Sequence, residues 1–399
     1  MKYIEKLLNG AEVKWMPLGE VFETRNGYTP SKANNDFWTN GDIPWFRMED
    51  IRDSGRLLND SIQHITPQAI KGKGLFRANS IIMATTATIG EHALLLVDAL
   101  ANQQFTNFQI RKSLSERVSP MFAFYYFFVL GEWCKSNVNT SSFPSVDMAR
   151  LMKQLFPIPP LAVQEEIVRI LDKFTTLEAE LEAELDCRKR QYEYYRNQLL
   201  SLDVINNKGN LNNVEVVTLG EIAEYSRTRI SSSDVCENTF VGVDNLLQNK
   251  SGKTISTHVP TEGNLTAYQM GDVLIGNIRP YLKKIWQADN NGGASGDVLV
   301  IHLTNKNIIP RYLYQVLADD MFFTYNMQYA KGAKMPRGNK QKIMEYKIPI
   351  PSLAEQQRIV SILDKFEALT TSISEGLPKE IELRRKQYEY YRNQLLSFA

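Results

Sequence analysis

The sequence predicts an α+β chain written twice: a globular mixed α/β body, a long coiled-coil helix, a second such body and a second long helix. Three observations predict it. RKRQYEYYRNQLLSL at 188–202 returns almost unchanged as RRKQYEYYRNQLLSF at 384–398. The segments leading into both copies carry apolar residues at mostly alternating steps of three and four, the period of a coiled-coil seam. The stretches between them, such as GDIPWF, ANSIIMATTATIG and GDVLIGNIRPYL, are rich in β-formers and turn residues.

Internal similarity on this scale is settled before any local reading. From the N-terminus, PLGEVFE at 17–23 matches TLGEIAE at 218–224, and FPIPPLAVQEEIVRILDKF at 156–174 matches IPIPSLAEQQRIVSILDKF at 348–366. The chain therefore divides into a first body (1–155), a first long helix (156–202), a linker (203–213), a second body (214–347) and a second long helix (348–399). Outside the shared borders the bodies have little in common. Even so, Ser119-Pro120 and Ile309-Pro310 each open an aromatic-rich helix, and Phe143-Pro144 aligns with Met335-Pro336. FAFYYFFVL at 122–130 is too short to span a bilayer and is expected to be a buried helix.

In the first long helix the seam runs through Val163, Ile167, Ile170, Phe174, Leu177, Leu181, Leu185, Tyr192, Tyr195 and Leu199. In the second it runs through Ile359, Leu363, Phe366, Leu369, Ile373, Leu377, Ile381, Tyr388, Tyr391 and Leu395, interrupted by Gly376 and Pro378, where a kink or break is predicted. Each seam needs a partner, and the other helix is the expected one. Forty-odd residues of helix make a rod of roughly 60 Å.

Composition narrows the function. With 46 basic and 45 acidic residues in 399, no overall field marks the chain for nucleic acid or membrane, so any such binding rests on local patches. Cys134, Cys187 and Cys236 are odd in number, widely spaced and without a CxxC, which fits a reducing compartment. The start MKYIEKLLNG carries charges where a signal peptide needs an apolar run, so a cytoplasmic protein without a membrane span is expected. His64, His92, His258 and His302 are scattered with no ligand spacing, so no metal site is expected. Gly252-Lys253-Thr254 ends like a phosphate loop, but Leu247 stands where the first glycine belongs, and the segment reads as a loop. GGASG at 292–296 reads as a plain turn, though glycines there would let backbone N–H groups approach an anion.

In order and in duplicate, PLGEVFE, GYTPSK (27–32), FWTNGDIPWF (37–46), ITPQAI (65–70), ANQQF (101–105), TLGEIAE, GDVLIGNIRPYLKK, GGASGDVLVIH and the two IPIP…ILDKF…YEYYRNQLLS helices resemble the specificity subunit of type I restriction-modification systems over the whole chain. The resemblance implies two target-recognition domains, each reading one half of a split DNA site. Two antiparallel spacer helices would hold them apart and dock two methyltransferase subunits. The repeat has a physical reason: two copies of one partner bind one chain equivalently only where it offers two surfaces related by a pseudo-two-fold axis. Asymmetry of the DNA site follows because the two bodies differ.

On this reading the chain is no enzyme and binds no cofactor; S-adenosylmethionine, ATP and Mg2+ belong to the methyltransferase and restriction subunits. The residues agree. There is no Gly-rich cofactor loop after a strand and no Asn/Asp-Pro-Pro-aromatic tetrapeptide, since the one pair of adjacent prolines, Pro159-Pro160, follows Ile158.

Double-stranded DNA requires cations on phosphates and paired donors or acceptors on base edges. Residues 225–342 hold 14 basic against 9 acidic residues, whereas residues 14–150 hold 14 against 13. In the second body Arg279, Tyr281, Lys283 and Lys284 form one candidate cluster, and Lys331, Lys334, Arg337 and Lys340 another beside glycines. In the first body the candidates are Lys32, Lys71, Lys73 and Arg77, with Ser141 and Ser142. Each could equally be an ordinary solvated side chain; the resemblance favours DNA. On the helices Tyr192, Tyr195, Tyr388 and Tyr391 continue the seam. Tyr194 and Tyr390, with Arg196 and Arg392, are expected on an outward face suited to the methyltransferase.

The tandem LEAE LEAE at 177–184 lies on the rod. One such unit adds about 6 Å, so gaining or losing one is expected to change the gap between half-sites by about one or two base pairs.

Two other function classes fit parts of this pattern. A coiled-coil adaptor would bind proteins through both bodies, and salt-dependent binding to duplex DNA separates it from a DNA reader. A self-contained modification enzyme would bind S-adenosylmethionine by an unusual motif, which cofactor binding by the isolated chain would reveal.

Overall fold

In the computed structural model, residues 3–139, 144–200, 214–372 and 375–398 are described. The predicted linker at 203–213 and the seam residue Ile373 lie outside them.

Two compact units emerge, the first built from two separate stretches of chain and the second from one. One consists of Met1–Ala179 with Leu383–Ala399; the other is Glu180–Glu382. Each unit thus contains a body, the N-terminal half of the helix that follows it and the C-terminal half of the other long helix. The boundary at 179/180 falls inside the tandem LEAE.

In the first unit, Lys14–Pro17 pairs antiparallel with Leu155–Ile158, so the two ends of the body close on each other. In the second, Glu215–Thr218 pairs the same way with Lys347–Ile350. A sheet with crossed-over strand order sits within each closure. Strands Phe22–Asn26, Phe105–Ile110, Ile81–Ala84 and His92–Leu95 lie side by side in that order, with Leu57–Leu58 at the edge. The second body repeats the order with Ala223–Tyr225, Val298–Leu303, Val273–Gly276 and Ile285–Gln287. Bodies with little shared sequence therefore share a sheet: its central strands, Ile81–Ala84 and Val273–Gly276, are buried on both faces, and a doubly buried strand asks for apolar residues without fixing which ones.

Helix α1 (Pro120–Ser136) covers the first sheet, capped by Ser119, whose side chain accepts from the Phe122 N–H, and begun by a proline that lacks the N–H left unused there. Its Phe122, Phe124, Phe127 and Leu130 are buried, as the apolar run predicts. Helix α2 (Leu161–Leu200) runs 40 residues unbroken, having neither Gly nor Pro inside it. In the second body helix α3 (Pro310–Leu317) occupies the place of α1. The second long helix is two helices, α4 (Leu353–Thr371) and α5 (Leu377–Leu396). Gly376 between them has φ +89°, and a Cβ there would lie 2.5 Å from the Ala368 carbonyl oxygen, so the predicted break is real and specific to glycine.

The seams pair antiparallel within each unit. In the first, Phe174 stacks on Tyr391 at 5.4 Å, Arg385 reaches Glu178, and Leu395 and Leu396 are buried with Ile167 and Leu171. In the second, Phe366 stacks on Tyr195 at 5.5 Å and Tyr192 at 6.1 Å, with Leu199 buried beside Ile359 and Leu363. Leu177, expected in the seam, is 44% exposed.

GGASG is not a plain turn. Gly292–Ala294 is an internal strand between Asn264–Tyr268 and Phe240–Val241. It needs glycine because a Cβ on Gly292 would lie 2.1 Å from the Thr239 carbonyl oxygen. Gly252 to Thr254 is a loop, as expected.

Candidate nucleic-acid interface

The two basic clusters of the second body, some fifty residues apart in sequence, form one platform. Lys331 and Arg337 exchange backbone hydrogen bonds of 2.9 Å each, closing a hairpin over Gly332-Ala333-Lys334-Met335-Pro336. This hairpin docks on the end of strand Val273–Gly276: the Arg279 N–H donates to the Pro336 carbonyl at 2.7 Å and the Gly338 N–H to that of Asn277 at 3.1 Å. Gly338 permits the approach, since a Cβ there would lie 2.5 Å from Oδ1 of Asn326 and 2.8 Å from that of Asn277. Tyr281 and Met335, 50% and 51% exposed, stand among the cations.

Pairing divides the candidates. Lys283 bonds Asp320 at 2.8 Å, Lys284 donates to the Val243 carbonyl, and Arg337 bonds Asp297 at 3.1 Å. Burial would raise the Asp320 carboxyl, but hydrogen bonds from Lys283 and Lys250 hold it below its ordinary value. Arg279, Lys331, Lys334 and Lys340 are exposed, and among the described residues their side chains have no hydrogen-bond or ion-pair partner. Lys283, Lys284 and Arg337 thus hold the platform together, while the other four leave their charge to solvent.

In the first body the motifs that carried the resemblance converge on Tyr28. Its hydroxyl donates to the Ala69 carbonyl at 3.0 Å and accepts from the Lys71 N–H at 2.8 Å. Its own N–H donates to the Ala101 carbonyl at 2.9 Å, and its carbonyl accepts from Trp45 Nε1 at 3.0 Å. Trp38 Nε1 donates to the Ser31 carbonyl at 3.0 Å, next to Lys32. GYTPSK, FWTNGDIPWF, ITPQAI and ANQQF are thereby one packed assembly, on which Lys32, Lys71 and Lys73 are exposed. Arg77 is exposed beyond it, after the buried Phe76. Ser141 and Ser142 lie outside the described residues.

On the helices Tyr194 and Tyr390 are each 61% exposed and each set edge-on to the next tyrosine at 5.5 Å. Arg196 corrects the sequence reading. It is 2% exposed, not outward, and donates to the Tyr192 hydroxyl at 2.8 Å and to Oε1 of Gln315. The reason is helical: residue 196 is one turn beyond seam residue Tyr192 and shares its face. Arg392 is half-buried over Phe128 at 4.4 Å and Tyr388 at 5.3 Å.

Among the described residues no cluster of three or more His, Cys, Asp or Glu could hold a metal ion, and no helix is long and apolar enough to cross a membrane. The lining of a cleft of about 990 Å³ in the second unit includes two sets of paired charges, Lys250 with Glu193 and Arg311 with Asp364 and Glu367.

Known proteins share this frame. A family model described as the type I restriction modification DNA specificity domain matches residues 11–186 and again 212–383. The type I restriction enzyme EcoprrI specificity subunit of Escherichia coli is 40% identical, covering 94% of this chain and 92% of that one. The EcoR124I/EcoR124II specificity subunit of the same species is 32% identical over 100% and 97%. A chain solved in work on complex assembly and conformational transition of the type I R-M system aligns over 96% of this chain and 97% of its own, with a TM-score of 0.60 at 16% identity.

Proposed function

Because the chain belongs to the type I restriction-modification specificity subunits, we propose that it is the non-catalytic subunit that recognises a bipartite, asymmetric DNA site and directs methyltransferase and restriction subunits to it. The recognition domains are residues 1–155 and 214–347, joined by spacer segments at 156–202 and 348–399, whose helices are Leu161–Leu200 in the first and Leu353–Thr371 with Leu377–Leu396 in the second. Two methyltransferase subunits dock on the duplicated helices, with Tyr194 and Tyr390 as equivalent anchors. Arg392 contributes beside Tyr390, and restriction subunits join through that core. S-adenosylmethionine, ATP and Mg2+ are bound by those partners, and the complex works in the cytoplasm.

The observation that carries this reading is the set Arg279, Lys331, Lys334 and Lys340, without side-chain partners among the described residues, on one pinned platform within a frame that repeats while its bodies differ. Cations without internal partners are available to phosphates and release counterions when they bind them. In the first body Lys32, Lys71, Lys73 and Arg77 serve the same end, and Ser141 and Ser142 add polar contacts.

Binding of the complex with methyltransferase subunits to duplex DNA, titrated with salt, tests it. K331A/K334A lowers the salt slope by about two, near 0.9 for each phosphate that is no longer neutralised, and weakens binding to all sequences alike. K283A does not change the slope, because Asp320 already holds that charge. A wild-type complex that ignores DNA at every salt concentration overturns the reading.

A further inference from the structure

Ala87 and Arg279 stand at the same point of the two bodies. Each is the third residue beyond a four-residue central strand, Ile81–Ala84 and Val273–Gly276. Each has left-handed backbone, φ +60° and +52°, which L residues with a Cβ disfavour. In each body an antiparallel pair docks at the residue just past that strand, Val138–Asn139 with Ser145–Val146 in the first and the Lys331–Arg337 hairpin in the second: the Val146 N–H donates to the Thr85 carbonyl at 2.9 Å, and the Gly338 N–H to the Asn277 carbonyl at 3.1 Å. A strained conformation in the same place twice, held by the surrounding structure, marks a position where geometry is under constraint.

What differs is the side chain. Arg279 is over-determined at its backbone, by the Pro336 carbonyl on one side and by Pro280, which fixes the next φ. Its guanidinium is nevertheless exposed and unpartnered among the described residues, while its neighbours Lys283, Lys284 and Arg337 are all engaged within the chain. The planar fork of donors fits a phosphate or a base edge alike, but a backbone held at one point gives it the fixed origin that reading a base requires and a phosphate contact does not. The fork matches the two acceptors, O6 and N7, that guanine presents in the major groove.

Resting on the DNA-binding reading above, we propose that Arg279 is a specificity-determining residue that reads a guanine in the half-site of the second recognition domain. Position 87 is its counterpart in the first domain, where Ala87 offers only a methyl group.

The test is binding of the methyltransferase-loaded complex to duplexes in which every base pair of both half-sites is substituted in turn, for the wild type, R279A and R279K. The wild type prefers guanine at one position of the second half-site by roughly 5- to 150-fold, the range for a bidentate pair. R279A loses that preference and keeps those at all other positions, with the intact first half-site showing that the chain is folded. R279K keeps the salt slope but loses most of the preference, because lysine brings charge without the fork. If R279A instead weakens every duplex evenly and leaves all base preferences in place, Arg279 is a phosphate contact and the proposal fails while DNA recognition stands. A wild-type complex that binds no duplex fails both.

Discussion

Gln164 and Gln356 are the same clamp built twice. Each is fully buried near the start of a long helix. The Oε1 of Gln164 accepts from the Ser119 N–H at 2.9 Å, and its Nε2 donates to the carbonyls of Arg117 and Pro159, both at 2.8 Å. Gln356 accepts from the Ile309 N–H at 2.9 Å and donates to the carbonyls of Asn307 at 3.1 Å and Pro351 at 2.9 Å. In both units the amide joins the start of the spacer helix to the segment that opens the body helix α1 or α3. The body and its helix are thereby set at one angle.

Q164A and Q356A are each expected to destabilise their own unit by about 2–4 kcal/mol, because each truncation leaves buried backbone donors and acceptors unpaired. The two costs should be nearly equal, since the geometry is. Thermal unfolding of the full chain followed by hydrogen exchange in each unit measures them. A cost confined to one of the two would show that the clamps are not equivalent.

Arg196 and Tyr194 separate stability from assembly. R196A removes charge-assisted bonds to Gln315 and Tyr192 inside the second unit and is expected to cost roughly 2–3 kcal/mol. Y194A and Y390A, at exposed rings, should leave unfolding within about 0.5 kcal/mol of wild type. Each should weaken binding of one methyltransferase subunit, which a titration of the chain with that subunit reads directly.

His92 gives the first unit a pH dependence. It is buried between the carbonyls of Gly90 and Phe124, and burial pushes its pKa down to about 3 from 6.5. A depressed folded value means that the unfolded chain takes up the proton first. The contribution is complete above pH 6.5 and is lost as pH falls from there toward 3, at about 1.4 kcal/mol per pH unit. H92Q should flatten this slope in the first unit and leave the second unchanged, as read by unfolding midpoints between pH 7 and 5.

The tandem LEAE lies in unbroken helix at the boundary of the two units. Inserting a third LEAE adds about 6 Å of helix and should lengthen the gap of the methylated site by about one or two base pairs. Methylation of the unchanged site by that variant would remove the helix as a ruler.

Much of this was legible because duplication doubles the signal. Identical residues at both ends of two stretches exposed the frame, the three-and-four spacing exposed the seams, and Gly376 with Pro378 exposed the break. The shared Gln164 and Gln356 were also in view within the matched segments, though only the fold showed what they hold. The place of Arg196 one turn beyond Tyr192 was in view, but a cation on a seam face reads as outward until its buried partner, Gln315, far along the chain, is known. Lys283 gave no sign that Asp320 would claim it, and Lys284 none that the Val243 carbonyl would. Sequence proximity does not report which opposite charges meet. The strand at Gly292–Ala294 was hidden because glycine signals a turn by propensity, whereas here it answers a close backbone approach.

The most direct test of the central claim is long-read methylation sequencing of DNA from cells expressing this chain with the methyltransferase subunit encoded beside it. Modified adenines at a two-part motif with a fixed gap and unlike halves are the predicted result. A stable complex that leaves no new methylation anywhere would contradict it.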